Sequence, residues 1–142
     1  MGGVTNNHLK KLETVHKWVI KIIWNKSYQC PSDELYKVSQ LLDIRQLYYM
    51  ALSRYQRQNI SNASSNIHNH NTRIRGKLLK YPPMTKTIGQ RSFQFLAPRV
   101  YNTIPNEIKQ LKTHESFVNK LRRPILLRPR AEIHQIVDVK NS

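Results

Sequence analysis

Asp43-Ile-Arg-Gln-Leu-Tyr-Tyr-Met-Ala-Leu-Ser-Arg-Tyr55 has the cleanest helical period in the chain. Ile44, Leu47, Tyr48, Ala51, Leu52 and Tyr55 recur at the three- and four-residue steps that place side chains on one face of a helix. Asp43 stands where an N-cap belongs, and Gln46 three residues later completes a capping box. The expectation is a helix starting at Asp43 with this apolar set against the core. Arg45, Arg54 and Arg57 then project elsewhere, with Tyr49 close to the polar side.

The segments upstream of it read as helices too. Asn6 or Asn7 suits an N-cap, and Leu9, Leu12, Val15, Val19, Ile22 and Ile23 form an apolar stripe expected to be core. Asn25-Lys26-Ser27 and Pro31 end that helix. Ser32 is expected to cap the next one, whose first-turn Asp33 and Glu34 suit the helix dipole and whose Leu35, Val38 and Leu42 share a face.

Downstream the pattern loosens. Asn59 to Asn71 is rich in Asn, Ser and His and reads as a surface loop, and Arg73 to Lys86 is basic, with Pro82-Pro83 forcing an extended path. Phe93 and Phe95 point the same way in an extended chain, and Leu78-Leu79 is expected to pair with Ser92 to Phe95 as a short two-stranded β piece. Pro98 and Pro105 each suit the first position of a short helix. Thr113 caps a last helix holding Phe117, Val118 and Leu121, which Pro124 is expected to stop near Arg123. The fold expected is mainly α: a small bundle of about four to five helices over residues 1–123, with a loop at 59–90, and a basic, poorly ordered tail at 124–142.

Charge narrows the function. The chain has 142 residues, 24 basic against 8 acidic, and a formal charge of +16. Between Ile44 and Asn106 there is no acid, whereas Arg45, Arg54, Arg57, Arg73, Arg75, Lys77, Lys80, Lys86, Arg91 and Arg99 lie inside that stretch. Such an excess costs self-repulsion unless a polyanion relieves it, and phosphate backbones do so by releasing counterions. The expected contacts are Arg73, Arg75, Lys77, Lys80, Tyr81, Lys86, Arg91 and Arg99, the arginines gripping phosphate and Tyr81 stacking on a base. No recognition helix or RNA-recognition motif is readable, so the contacts expected are to backbone.

Other classes find no footing. Two-metal polymerase chemistry needs clustered carboxylates, and the only adjacent acids, Asp33 and Glu34, are explained by a helix first turn. His8, His16, His68 and His70 lack the Cys or acid that would close a metal-ligand set, so no metal and no cofactor is expected. The single cysteine, Cys30, excludes an intramolecular disulfide. The start of the chain lacks a secretory pattern and Trp18 to Trp24 is too short and too broken by Lys21 to span a bilayer, so neither secretion nor a membrane is expected.

One further stretch, Gly89 to Pro105, carries a family likeness. Gly89, Arg91, Ser92, Phe93, Phe95, Ala97, Pro98, Val100, Tyr101, Asn102, Ile104, Pro105, Ile108 and Lys109 resemble a segment near the C-terminus of reverse transcriptase polyproteins from non-long-terminal-repeat (LINE-type, jockey-like) retrotransposons. His68 with Asn71-Thr72-Arg73, Ser116-Phe117 with Lys120-Leu121, and Leu12-Glu13-Thr14-Val15-His16-Lys17 with Ile22-Ile23-Trp24-Asn25 resemble further pieces of that family in the same order. The likeness spans about residues 9 to 123. The family's final helix runs on where Pro124 is expected to end this one.

The resemblance implies a C-terminal region lying downstream of a polymerase palm, without its catalytic carboxylates. It implies RNA or DNA and the remainder of a reverse transcriptase as partners, in nucleus or cytoplasm. The reading from sequence is therefore a non-catalytic nucleic-acid-binding segment. The alternative is a structural packing segment, or decayed fragment of the polymerase, with no activity of its own.

Overall fold

The computed structural model describes residues 6–60, 79 and 93–138. Among them lie seven helices and no strand: α1 (Asn6–Ile23), α2 (Ser32–Ser39), α3 (Ile44–Gln58), α4 (Phe93–Asn102), α5 (Asn106–Lys109), α6 (His114–Leu127) and α7 (Arg130–Val137). The mainly helical reading holds. The differences from the sequence expectation lie in which faces are buried and where the chain stops being helical.

Helix α3 is the hub, packing against α1, α4, α6 and α7. Its capping box forms as expected: Asp43 Oδ1 accepts the Gln46 N–H at 2.7 Å, and Gln46 Oε1 accepts the Asp43 N–H at 2.9 Å. The buried face, however, is Arg45, Gln46, Tyr49, Leu52, Ser53 and Gln56. Leu47 and Tyr55, expected inside, are 43% and 45% exposed, and Ala51 is exposed too.

Hydropathy misread this helix because its buried polar groups are satisfied. Ser53 Oγ donates to the Tyr49 carbonyl at 2.8 Å, and Gln46 Nε2 donates to the Ile125 carbonyl at 3.1 Å. Tyr49 and Thr103 hydroxyls lie 2.6 Å apart, and Thr103 Oγ1 in turn donates to the Val100 carbonyl. A hydrogen-bonded polar group can occupy a core position that an unpaired one cannot.

The segment expected to be extended, with Phe93 and Phe95 on a strand, is helical from Phe93, and Pro98 lies inside α4 rather than at its start. The carbonyl that Pro98 leaves without its helical donor belongs to Gln94, an exposed residue. Phe95, Leu96, Ala97, Val100 and Tyr101 enter the main core with Leu52, Phe117, Leu121, Ile125 and Ile133. Leu79 is not in a strand, but Asn102 gives it strand-like pairing. Leu79 N–H donates to Asn102 Oδ1 and Asn102 Nδ2 donates to the Leu79 carbonyl, both at 2.8 Å. Pro105 serves as N-cap of α5.

Two expectations about the C-terminal part are corrected. Pro124 does not stop α6, which runs on to Leu127; Leu121 and Ile125 on either side of it are buried, and the Arg128 N–H closes on the Pro124 carbonyl at 2.9 Å. Burial of that turn outweighs one lost helical hydrogen bond. The segment 130–137, expected to be part of a loose tail, is helix α7, and its Ile133 and Val137 belong to the main core.

Helices α1 and α2 make a second, smaller cluster from Ile20, Leu35 and Tyr36, with Cys30 and Leu41 against it. Ser32 is the first residue of α2 rather than its cap; Pro31 occupies that position. Of the α1 stripe expected in the core, Leu9 is buried, but Leu12, Val15, Val19, Ile22 and Ile23 are 41–65% exposed.

The two clusters are joined by ions. Arg45, 5% exposed, donates to Glu13 of α1 and, through Nε, to Asp138 Oδ2 beyond α7 at 2.8 Å. Burial opposes the Arg45 charge, and its bonds to Glu13 and Asp138 more than offset this, holding its pKa above the ordinary value.

Candidate nucleic-acid interface

Helix α6 and helix α7 meet at a sharp corner. Arg128 is extended (φ −73°, ψ 140°) and caps the end of α6, and Pro129 (φ −53°, ψ 131°) caps the start of α7. A proline loses nothing there, because an N-cap needs no intrahelical N–H. The corner faces α2 across an open groove of about 840 Å³.

The walls of the groove have two characters. Tyr36, Leu41, Leu126, Leu127 and Ala131 supply an apolar surface. Lys37, Arg123, Arg128 and Arg130 supply four cations, against one acid, Asp33. Leu127 is 76% exposed, so the apolar surface opens to solvent.

The cations differ in how firmly they are held. Arg130 lies over the Tyr36 ring at 4.5 Å, with Nε 2.9 Å from Asp43 Oδ2 and Nη1 2.5 Å from Asp33 Oδ1. His134 Nε2 shares the same Asp43 oxygen at 2.9 Å. Asp43 is thus both the cap of α3 and the anchor of this corner. Burial works against its charge, but the bonds from His134, the Gln46 N–H and Arg130 prevail and hold its pKa down to about 2. Burial, reinforced by Asp43, pushes Tyr36 up to about 12, so the phenol stays neutral; its oxygen lies 3.1 Å from His16 Nδ1. Arg128 reaches Glu132 at 3.5 Å. Lys37 and Arg123 are exposed and make no ion pair among the described residues.

The acids of the molecule are mostly spent. Glu13, Asp33, Glu34, Asp43, Glu132 and Asp138 all sit in ion pairs with cations of distant or neighbouring elements. The acid-free stretch of sequence is therefore not acid-free in space. Arg45 meets Glu13 and Asp138 from 32 and 93 positions away. Arg57, also in that stretch, turns its Nη1 to the Lys109 carbonyl at 3.0 Å and stacks on Phe117 at 4.6 Å. Neither is available to phosphate.

Of the contacts expected from sequence, Arg73, Arg75, Lys77, Lys80, Tyr81, Lys86 and Arg91 lie outside the described residues. Arg99 is described: it is half-buried on α4, without an ion pair among the described residues, and is not part of the groove. The groove cations Lys37, Arg123, Arg128 and Arg130 were not singled out from sequence. The available signal was Arg122-Arg123-Pro124 followed by Arg128-Pro129-Arg130, two basic pairs around prolines.

Among the described residues no group of three or more His, Cys, Asp or Glu is placed to hold a metal ion, and no helix is long and apolar enough to cross a membrane. Compared with protein-family models, curated proteins and solved structures, the chain matches none.

Proposed function

We propose that this chain is a non-catalytic module that grips the backbone of RNA or DNA, and that the groove between α2 and the α6–α7 corner receives a single strand. The observation that supports this reading is the groove itself, which gathers Lys37, Arg123, Arg128 and Arg130; Arg130 is held by Asp33 and Asp43 and Arg128 by Glu132, whereas Lys37 and Arg123 make no ion pair among the described residues. Proteins that bind single strands combine a positive groove along the backbone with apolar or aromatic surface for the bases. Phosphates would meet Lys37 and Arg123, which make no ion pair among the described residues, while sugars and bases lie along the exposed Leu126 and Leu127. The remaining excess of the +16 chain adds a sequence-independent attraction.

The resemblance to the C-terminal region of a retrotransposon reverse transcriptase fits such a role. The module would hold template or target beside an active site carried elsewhere. Fluorescence anisotropy of labelled single-stranded RNA and DNA, titrated across salt concentrations, tests the reading. Binding that weakens linearly on a log–log salt plot is expected. Unmeasurable affinity at about 50 mM salt, or an affinity indifferent to salt, removes it.

A further inference from the structure

Arg130 is fixed in the groove by two carboxylates of unequal standing. Its Nε donates to Asp43 Oδ2 at 2.9 Å, and the guanidinium lies 4.5 Å over the Tyr36 ring. Asp43 is 1% exposed, so this bond is made out of water. The other arm, Nη1, reaches Asp33 Oδ1 at 2.5 Å, and the Asp33 side chain is 83% exposed.

Breaking a buried pair is costly, because the charge left behind stays out of water. An exposed pair stands in high dielectric and contributes little. Asp33 is therefore the partner that an incoming anion can replace, and Asp43 is the one that keeps Arg130 in place meanwhile. Arg130 meets such an anion already oriented, with little side-chain freedom left to lose.

Asp33 also stands where the backbone of a bound strand would pass. It lines the groove together with Lys37, one turn further along α2, and with Arg123 and Arg130 of the facing corner. Asp33 and Lys37 have the spacing of a local ion pair but make none among the described residues. Asp33 turns instead to Arg130, 97 positions away.

We propose that Arg130 is a phosphate contact of the groove beside Lys37 and Arg123, and that Asp33 holds the place of that phosphate until a strand displaces it. The inference rests on the nucleic-acid reading of the groove and names the residue that limits its affinity.

The test is fluorescence anisotropy of a labelled single-stranded oligonucleotide with the full chain at about 100 mM salt. Wild type is compared with Asp33→Asn, with Glu34→Gln, and with Asp33→Asn in an Arg130→Lys background. Glu34 is the control: it removes the same charge from the same first turn and also releases a cation, Lys26, but it does not line the groove. Asp33→Asn is expected to bind about threefold tighter than Glu34→Gln or better, the range set by loss of one competing exposed pair. Lysine keeps the charge at position 130, but a single ammonium cannot hold Asp43 and a phosphate as the two arms of arginine do. The gain from Asp33→Asn should therefore vanish in Arg130→Lys. Equal affinities for Asp33→Asn and Glu34→Gln overturn the inference. A gain that survives Arg130→Lys also overturns it, making the effect one of long-range charge. In both cases salt-dependent binding by wild type leaves the groove reading standing, whereas absence of wild-type binding removes the two together. Where circular dichroism shows that Arg130→Lys does not fold, the comparison of Asp33→Asn with Glu34→Gln decides.

Discussion

Asp43→Asn is the most informative single change, because Asp43 links the cap of α3 to Arg130 and His134 of α7. The carboxylate is 1% exposed and accepts from the Gln46 N–H at 2.7 Å, Arg130 Nε at 2.9 Å and His134 Nε2 at 2.9 Å. Its pKa falls from 3.8 to about 2 on folding. At 1.36 kcal/mol per pKa unit, that shift contributes about 2 kcal/mol of stability at neutral pH. Because the folded value lies below the unfolded one, the contribution is complete above about pH 5. It is lost as the pH falls through the unfolded value toward about 2.

Asparagine keeps the cap, since it is as good an N-cap as aspartate, but removes the charge and sets an amide NH2 where Oδ2 accepts from Arg130 and His134. Asp43→Asn should therefore cost about 2 kcal/mol, and Asp43→Ala about 3 kcal/mol, the extra ~1 being the lost cap. Urea denaturation followed by circular dichroism reads this directly. With a slope of about 1.5 kcal/mol/M, Asp43→Asn lowers the midpoint by roughly 1 M at pH 7. The gap between wild type and Asp43→Asn should close as the pH approaches 2. A shift under about 0.5 kcal/mol at pH 7, or a gap that persists in acid, would refute the assignment of Asp43 as a buried, ionised anchor.

Three other perturbations separate elements of the fold. Ile133→Ala, in a fully buried position on α7, should destabilise by about 2–5 kcal/mol by urea denaturation; an effect under about 1 kcal/mol would mean that α7 is not part of the core. Asn102→Ala removes both hydrogen bonds to Leu79 and should cost about 1–2 kcal/mol, with faster hydrogen exchange at the Leu79 amide; unchanged exchange would refute that pairing. Tyr49→Phe deletes the hydroxyl that meets Thr103 and should cost about 1 kcal/mol with unchanged circular dichroism; a neutral or stabilising result would show that this buried bond contributes nothing net.

Local chemistry was legible in the sequence where it was self-contained. Asp43 and Gln46 are three residues apart and need nothing else to make a capping box, and Thr113 caps α6 through the Ser116 N–H in the same local way. Long-range pairing was not. Arg45 reads as a surface residue until Glu13 and Asp138 are brought to it, and the true inner face of α3 follows from those partners and from Gln46 on Ile125. Pro124 reads as a helix stop because the local cost of a proline is visible, while the burial of Leu121 and Ile125 beside it is not. The α1 stripe was read correctly as apolar. Its place on the outside could not be inferred, because periodicity shows that a face is apolar and not what it faces. The groove was missed for a related reason: Lys37 and Arg123 lie far apart in sequence, and only the placing of α2 across from the α6–α7 corner brings them to the walls of one groove.

The central functional claim is that the groove holds nucleic-acid backbone, and the salt dependence of Lys37→Gln/Arg123→Gln tests it most directly. Both side chains are exposed, so their loss leaves the fold intact. If each neutralises one phosphate of a single strand, the log–log salt slope of the double variant should be shallower than that of wild type by about 1.4, with weaker binding at every salt concentration. An unaltered slope and affinity in the double variant would contradict the claim and move any nucleic-acid contact to another surface.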